Sequence, residues 1–318
     1  MKFNILNSSI ALLISSSFFA SSSYAWSYRH HHEDYCSQTT SYAFKACRKD
    51  VQDDYLTGRG NCINISADEE REECNSDNLI ESFEAIKLCG EQKHARNDVC
   101  DAIGESRYDP QINPADFVDP LRIGTSVQVN SYMPLTPGFT RIYKAGDETV
   151  TVTVTDETIE IQGVTCLVVR DVVEVDGDVV EDTDDWFAQD VYGNVWYFGE
   201  ISRNYEDGML DNLDGSWKSG EDGAKAGIVM KATSHVGDVY RQEWALAEAE
   251  DMGEVLSVTA TESSPAAECH ANCLQTRDFT PIEPDVNENK FYAPGIGVIV
   301  AFDVDEPGDR EELVEYHY

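Results

Sequence analysis

Basic residues are scarce in this chain. Its 318 residues carry 23 Lys and Arg against 60 Asp and Glu, a formal net charge of −37. A field of that sign repels phosphate backbones and anionic lipid surfaces, which excludes nucleic acid and acidic membranes as general partners. Long apolar runs are also missing. The stretch Ile10–Ala20 is short and diluted with serine, below the ~20 apolar residues a membrane-spanning helix requires, so no membrane span is expected. The patterns G-x-S-x-G, G-x-x-x-x-G-K-[ST] and G-x-G-x-x-G do not occur. The common signatures of α/β-hydrolases, P-loop enzymes and dinucleotide folds are therefore absent. Proline is missing from residue 38 to residue 102, which leaves that stretch free to be helical. The 41% of hydrophobic and 10% of aromatic residues suffice for a core, so disorder along the whole length is excluded.

The first 25 residues read as a signal peptide. Lys2 supplies the positive start, Ile10–Ala20 the apolar stretch, and Ser23-Tyr24-Ala25 the small residues before cleavage. The mature chain would begin at Trp26, periplasmic or secreted. Nine cysteines follow, at 36, 47, 62, 74, 89, 100, 166, 269 and 273, and in an exported chain they read first as disulfides. The spacers between the first six are 10, 14, 11, 14 and 10 residues, a palindrome. Nested pairs of constant sum are what an antiparallel hairpin produces, which predicts Cys36–Cys100, Cys47–Cys89 and Cys62–Cys74. A fourth bridge is expected across the sheet between Cys166 and Cys273, leaving Cys269 as the odd thiol.

The fold class predicted is α+β: a disulfide-stapled antiparallel helical hairpin (26–107), a proline-containing linker (108–138), and an antiparallel β-meander, a curled sheet or half-barrel (139–318). Helices are placed at about 38–58 and 67–102. Gly58 and Gly60 weaken the end of the first, and Ser66 to Glu69 form a capping-box pattern at the second. Leu79, Phe83, Ile86 and Leu88 recur at helical spacing. Three prolines, at 110, 114 and 120, mark the linker. Thr149 to Thr155 alternates polar and β-branched residues, a half-buried strand. Asp176-Gly177 is a hairpin signal, and Gly193-Asn194 and Asp207-Gly208 mark further turns. Roughly eight to eleven strands are expected.

Three segments resemble signatures of a group of uncharacterised secreted bacterial proteins: Ile103-Gly104-Glu105-Ser106-Arg107-Tyr108-Asp109-Pro110, Gly193-Asn194-Val195-Trp196-Tyr197-Phe198-Gly199-Glu200, and Tyr292-Ala293-Pro294-Gly295-Ile296-Gly297-Val298. The last is also similar to the end of bacterial envelope β-meander proteins, and the curled-sheet style is shared with lipoprotein carriers of the LolA/LolB type. The likeness concerns architecture and implies no activity.

Both faces of the strand from Asn194 to Glu200 are apolar, so something must cover it. With Trp186, Tyr240 and Trp244, its Trp196 and Phe198 suggest an apolar groove for a hydrophobic ligand or a partner's apolar segment. The run His30-His31-His32 can bind metal when neutral, but no spaced histidine motif supports it, and neither a resident metal nor a cofactor is assigned. The acidic segments Asp182–Asp185 and Asp211–Gly215 read as solvated turns that lack the EF-hand spacing. Acid pairs that would suit a glycosidase are unavoidable among 60 acids. The leading expectation is an exported, non-enzymatic binding protein. The alternative is an interaction module whose partner is a protein held by the hairpin, and a hydrolase comes third.

Overall fold

The computed structural model describes residues 33–305, 308 and 310–318. The expected signal peptide and His30–His32 lie outside the described residues. Asp34–Tyr318 forms one compact unit, hairpin and sheet together.

Two long helices open it, α1 (Tyr35–Ile63) and α2 (Asp68–Ile103). Cys36 is bonded to Cys100, Cys47 to Cys89 and Cys62 to Cys74, with Cα separations of 5.6, 5.8 and 5.7 Å. These are the constant-sum pairs, and their even spacing keeps the helices at one distance along the ladder. Gly58 does not end α1, which continues to Ile63. A Cβ there would come within 2.2 Å of Asn78 Oδ1. Gly58 thus admits the Asn78 side chain, whose Nδ2 donates to the Tyr55 carbonyl at 3.0 Å. The capping box at Ser66 is not made. Ala67 is the N-cap without a side-chain bond, and Asp68, Glu69 and Glu70 in the first turn face the helix dipole instead. Leu79, Phe83 and Ile86 share one line of α2 and remain 43%, 63% and 42% exposed.

The linker is no free tether. Two 3-10 turns, Pro114–Asp116 and Pro120–Arg122, are capped by Asn113 and Asp119, and the Val118 amide donates to the Gln189 carbonyl. Ile123 and Leu135 are fully buried in the main core.

Among the described residues fifteen antiparallel strands follow, more than the eight to eleven expected, because several are only two to four residues long. They are β1 (Thr140–Ala145), β2 (Glu148–Ile161), β3 (Val164–Val175), β4 (Asp178–Gln189) and β5 (Val195–Glu206). Next come the short β6 (Met209–Asn212), β7 (Trp217–Lys218), β8 (Lys225–Met230), β9 (Val239–Arg241) and β10 (Glu243–Trp244). The last five are β11 (Met252–Ser263), β12 (Glu268–Phe279), β13 (Asn287–Ala293), β14 (Gly297–Asp303) and β15 (Arg310–His317). The hydrogen-bonded order runs β10-β8-β5-β4-β3-β2-β1-β15-β14-β13-β12-β11-β9, with β6 and β7 also on β5.

The two ends of that path, β9 and β10, are joined by Gln242 alone, so the sheet nearly closes into a barrel. A Cβ on Gly227 would meet the Gln242 backbone at 2.4 Å, and one on Gly253 would meet its Nε2 at 2.9 Å. Both glycines let the corner close. Asp176-Gly177 makes the expected hairpin turn, with φ of 53° and 91°. Gln162-Gly163, φ 52° and 80°, makes an equivalent one that the sequence reading passed over.

Val154, Val169, Phe187, Val195, Val255 and Leu274 come from strands far apart in the sheet order yet meet in one cluster. That cluster identifies the inward face. Ile123, Leu135 and Phe139 plug it. Beyond this apolar layer the same faces turn polar: Asp171 follows Val169, Asp185 precedes Phe187, and Thr276 and Asp278 follow Leu274.

The expected Cys166–Cys273 bridge is not formed. Cys273 is bonded to Cys269 on the same strand, with a Cα separation of 5.4 Å, where four residues of regular strand would span ~13 Å. β12 is buckled there. Between the pairs Ala260–Cys273 and Glu262–Cys269, β11 covers two residues while β12 covers four, and Ala271 takes φ 56°. Cys166 is the free thiol, buried with Phe198 and Ala188 in a different cluster from Cys273. Burial pushes its thiol up, out of the reactive range.

Candidate functional site

The base of the hairpin, the chain just after α2 and the β8–β10 corner enclose a cleft of about 440 Å³. Its floor is a buried ion pair. Arg96 on α2 and Glu250 before β11 are 5% and 2% exposed. The guanidinium donates from Nε to both carboxylate oxygens, at 3.1 and 2.9 Å, and from a terminal nitrogen to Oε1 at 2.7 Å. Glu250 also accepts from the Ala247 amide at 2.8 Å, and Gln92 on α2 donates to the Ile282 carbonyl at 2.8 Å. These contacts seat the hairpin on the sheet.

Aromatic rings form the walls. Tyr108 lies 6.4 Å from Trp244, centroid to centroid, and its hydroxyl donates to the Ala226 carbonyl at 2.8 Å. Burial raises the Tyr108 hydroxyl to about 12, with Arg241 pulling the other way. The Arg107 guanidinium stacks 3.7 Å over the Tyr35 ring, and that of Arg241 lies 5.5 Å from the Tyr108 centroid. Of the four cations in the cleft, Arg96 is paired with Glu250 and Lys225 with Asp109. Among the described residues, neither Arg107 nor Arg241 pairs with a carboxylate. The Arg241 Nε is buried without a hydrogen-bond partner, and its Nη1 donates to the Met252 sulfur at 3.8 Å. Burial lowers Arg241, opposed by Glu250 and Tyr108. Arg48 over Phe44 and Arg141 over Phe139 are likewise without a carboxylate, but Arg107 and Arg241 are the two that line one cleft. Planar, weakly hydrated guanidinium groups of this kind suit bidentate capture of carboxylate or phosphate.

The polar half of the barrel interior is the second unusual locus. Asp171 and Asp185 are raised to about 8 and Glu200 and Glu311 to about 7, in each case mainly by burial and further by neighbouring acids. Asp185 and Glu200 are cross-strand partners, and the Tyr197 hydroxyl donates to Asp185 at 2.5 Å. At neutral pH this wall holds protons that ordinary carboxyls have lost. Lys290 bonds Glu288 at 3.0 Å and Asp278 at 3.3 Å; burial works to lower it, and the two acids outweigh that and hold it well above its usual range.

The five aromatics expected to form an apolar groove are split among three places. Trp186, Trp196 and Phe198 lie on the outer face, in one cluster with Ile112 and Phe117 of the linker. Phe117 meets Phe198 and Trp196 edge-on, at 5.5 and 6.1 Å, and the Trp196 indole donates to Asp190 at 3.0 Å. The cover that a two-sided apolar strand demands is thus the chain's own linker. Tyr240 belongs to the inward cluster, and Trp244 to the cleft. The segment Asp182–Asp185 lies within β4 rather than in a turn. Asp182 is taken by Arg170 and Asp184 by Arg203. Among the described residues no group of three or more His, Cys, Asp or Glu is arranged to hold a metal ion. Sequence reasoning missed Arg107, Arg241, Arg96 and Glu250. Arg107 and Tyr108 did fall within the first quoted signature segment, but nothing there marked them as a site.

No helix of the described chain is long and apolar enough to cross a membrane. No family model, curated protein or solved structure matches the chain.

Proposed function

We propose that this protein is an exported, non-enzymatic binding protein, addressed by its first 25 residues, whose ligand enters the cleft between hairpin and sheet. The observation that carries the reading is the pair of guanidiniums, Arg107 and Arg241, left without carboxylate partners between the Tyr35, Tyr108 and Trp244 rings. The ligand class this favours is a carboxylate or phosphate joined to a planar apolar group. It replaces the purely hydrophobic ligand expected for a groove that includes Trp196 and Phe198, against which Phe117 of the linker packs. Titration calorimetry with benzoate and phenyl phosphate tests it. Saturable binding is expected, weakened about 10–100-fold in Arg241→Met, which keeps much of the side-chain volume but removes charge-assisted hydrogen bonds worth about 1.5–3 kcal/mol. Equal affinity in the variant, or none in the parent, would refute the cleft as the site.

A second reading, an interaction module, rests on the exposed line Leu79, Phe83 and Ile86 of α2. Apolar side chains exposed in a row favour a protein contact on the hairpin. Loss of a captured partner on Phe83→Asp, with the cleft probes still bound, would favour it.

A further inference from the structure

We propose that the outer side of α2 docks a basic amphipathic helix of another protein. Such docking rests on the reading of the hairpin as a contact surface and uses no residue of the cleft. From Asp68 to Leu88 α2 buries nothing; its buried residues are Cys89, Arg96, Val99 and Cys100. Yet Leu79, Ile80, Phe83 and Ile86 stand in that stretch, at 43%, 52%, 63% and 42% exposed. With about 100° between successive residues, all four fall within about 60° of Phe83 and make one face. Two disulfides, Cys47–Cys89 and Cys62–Cys74, tie this part of α2 to α1 without them. Cys74 and Cys89 lie on the opposite side of the helix, so the hairpin does not cover the face itself. A contiguous apolar face left in water is the mark of a contact with another molecule.

Charge decides the occupant. Residues 72–91 hold six acids and one base. The base, Lys87, is bonded to Glu91 at 2.8 Å. Glu73, Asp77, Glu84 and Glu91 all lie about 80–120° round the helix from Phe83, on the same side. They form a stripe about 27 Å long beside the apolar face. A partner that fits brings apolar residues at helical spacing to Leu79, Phe83 and Ile86, and Lys or Arg along one flank to the stripe. The apolar anchors then hold the helix, and the rim charges set its direction and register. A second copy of this chain does not fit. An antiparallel pairing would set one acid stripe against the other, and both copies carry the same net −37.

The test is fluorescence anisotropy of dye-labelled synthetic peptides, titrated with the full chain at about 150 mM NaCl, where long-range attraction is largely screened. Two peptides of identical Leu and Lys composition are compared, one with the leucines at helical spacing and one shuffled. Saturable one-to-one binding of the first is expected, and at least ten-fold weaker binding of the second. Phe83→Asp should weaken the first ten-fold or more. Asp77→Asn with Glu84→Gln should weaken it a few-fold, and less so at higher salt. These positions are exposed, so the variants alter the surface and not the fold. Asp156→Asn with Glu157→Gln, exposed acids on β2, should change nothing.

Equal binding of the two peptides, or an equal loss in the β2 variant, would mean a general charge atmosphere and overturn the proposal. So would sedimentation showing a dimer of the chain alone that Phe83→Asp abolishes, since the occupant would then be a second copy. If neither peptide binds while Phe83→Asp still abolishes capture of a partner, the basic helix is refuted and the contact surface stands. If Phe83→Asp leaves that capture intact as well, both are refuted.

Discussion

Removing Arg96 tests how the hairpin is held on the sheet. Both members of its pair with Glu250 are out of water, at 5% and 2% exposed, and three hydrogen bonds of 2.7–3.1 Å join them. Arg96→Ala leaves the Glu250 carboxylate buried with only the Ala247 amide. Stranding one buried charge in this way costs about 3–5 kcal/mol. For a unit of this size that is ~2 °C per kcal/mol, a fall in melting temperature of about 6–10 °C. Replacing both partners, Arg96→Met with Glu250→Leu, removes the stranded charge and should recover most of the loss. The assay is urea unfolding with disulfides intact, followed by circular dichroism and tryptophan fluorescence. Coincidence of the two probes would license two-state treatment. A single-variant cost below about 1 kcal/mol, or a double variant no better than the single, would refute the claim that this pair seats the hairpin.

Replacing Cys36 and Cys100 by Ser should cost about 3.5 kcal/mol with the inner bridge Cys47–Cys89 intact, and replacing Cys62 and Cys74 about 3; a cost below about 1 kcal/mol for either would sink the loop-entropy account. Stability should fall as pH rises from about 4 to 8. Over that window the native Asp171, Asp185, Glu200 and Glu311 hold protons that the unfolded chain has released. Asp185→Asn should therefore stabilise at pH 8.5 and do little at pH 4, as thermal melts would show; a melting temperature that climbs from pH 5 to 8 contradicts the raised values. Added NaCl should raise the melting temperature at low ionic strength, since a net −37 repels itself; no shift would mean that the acids are already compensated.

The disulfide ladder was legible because helical hairpins obey arithmetic. Rungs equidistant from one turn have a constant sum, and six cysteines in a palindrome leave little freedom. The antiparallel sheet was legible from period-two alternation and from turns such as Asp176-Gly177, where positive φ selects the residue type. The Ser66 cap failed because capping preference is worth only about 1 kcal/mol and the chain entering α2 can settle one residue later.

What the sequence determined by itself is the local and periodic part: the helices, their staples, the alternating strands and the excess of acid. Only the tertiary structure decided what each face meets. The linker, which composition marks as a spacer, covers Phe198 and Trp196 and so removes the groove that their alternation suggested. Cys273 finds Cys269 rather than Cys166 because a local buckle of β12 brings partners four residues apart together, a distortion that no strand periodicity encodes. Arg107 and Arg241 lie far apart in sequence and are ordinary residues there. They line one cleft because Arg96 and Glu250 dock the hairpin and Gln242 closes the sheet. Burial, pairing and the absence of pairing are properties of which surfaces meet, and surfaces meet only in the folded chain.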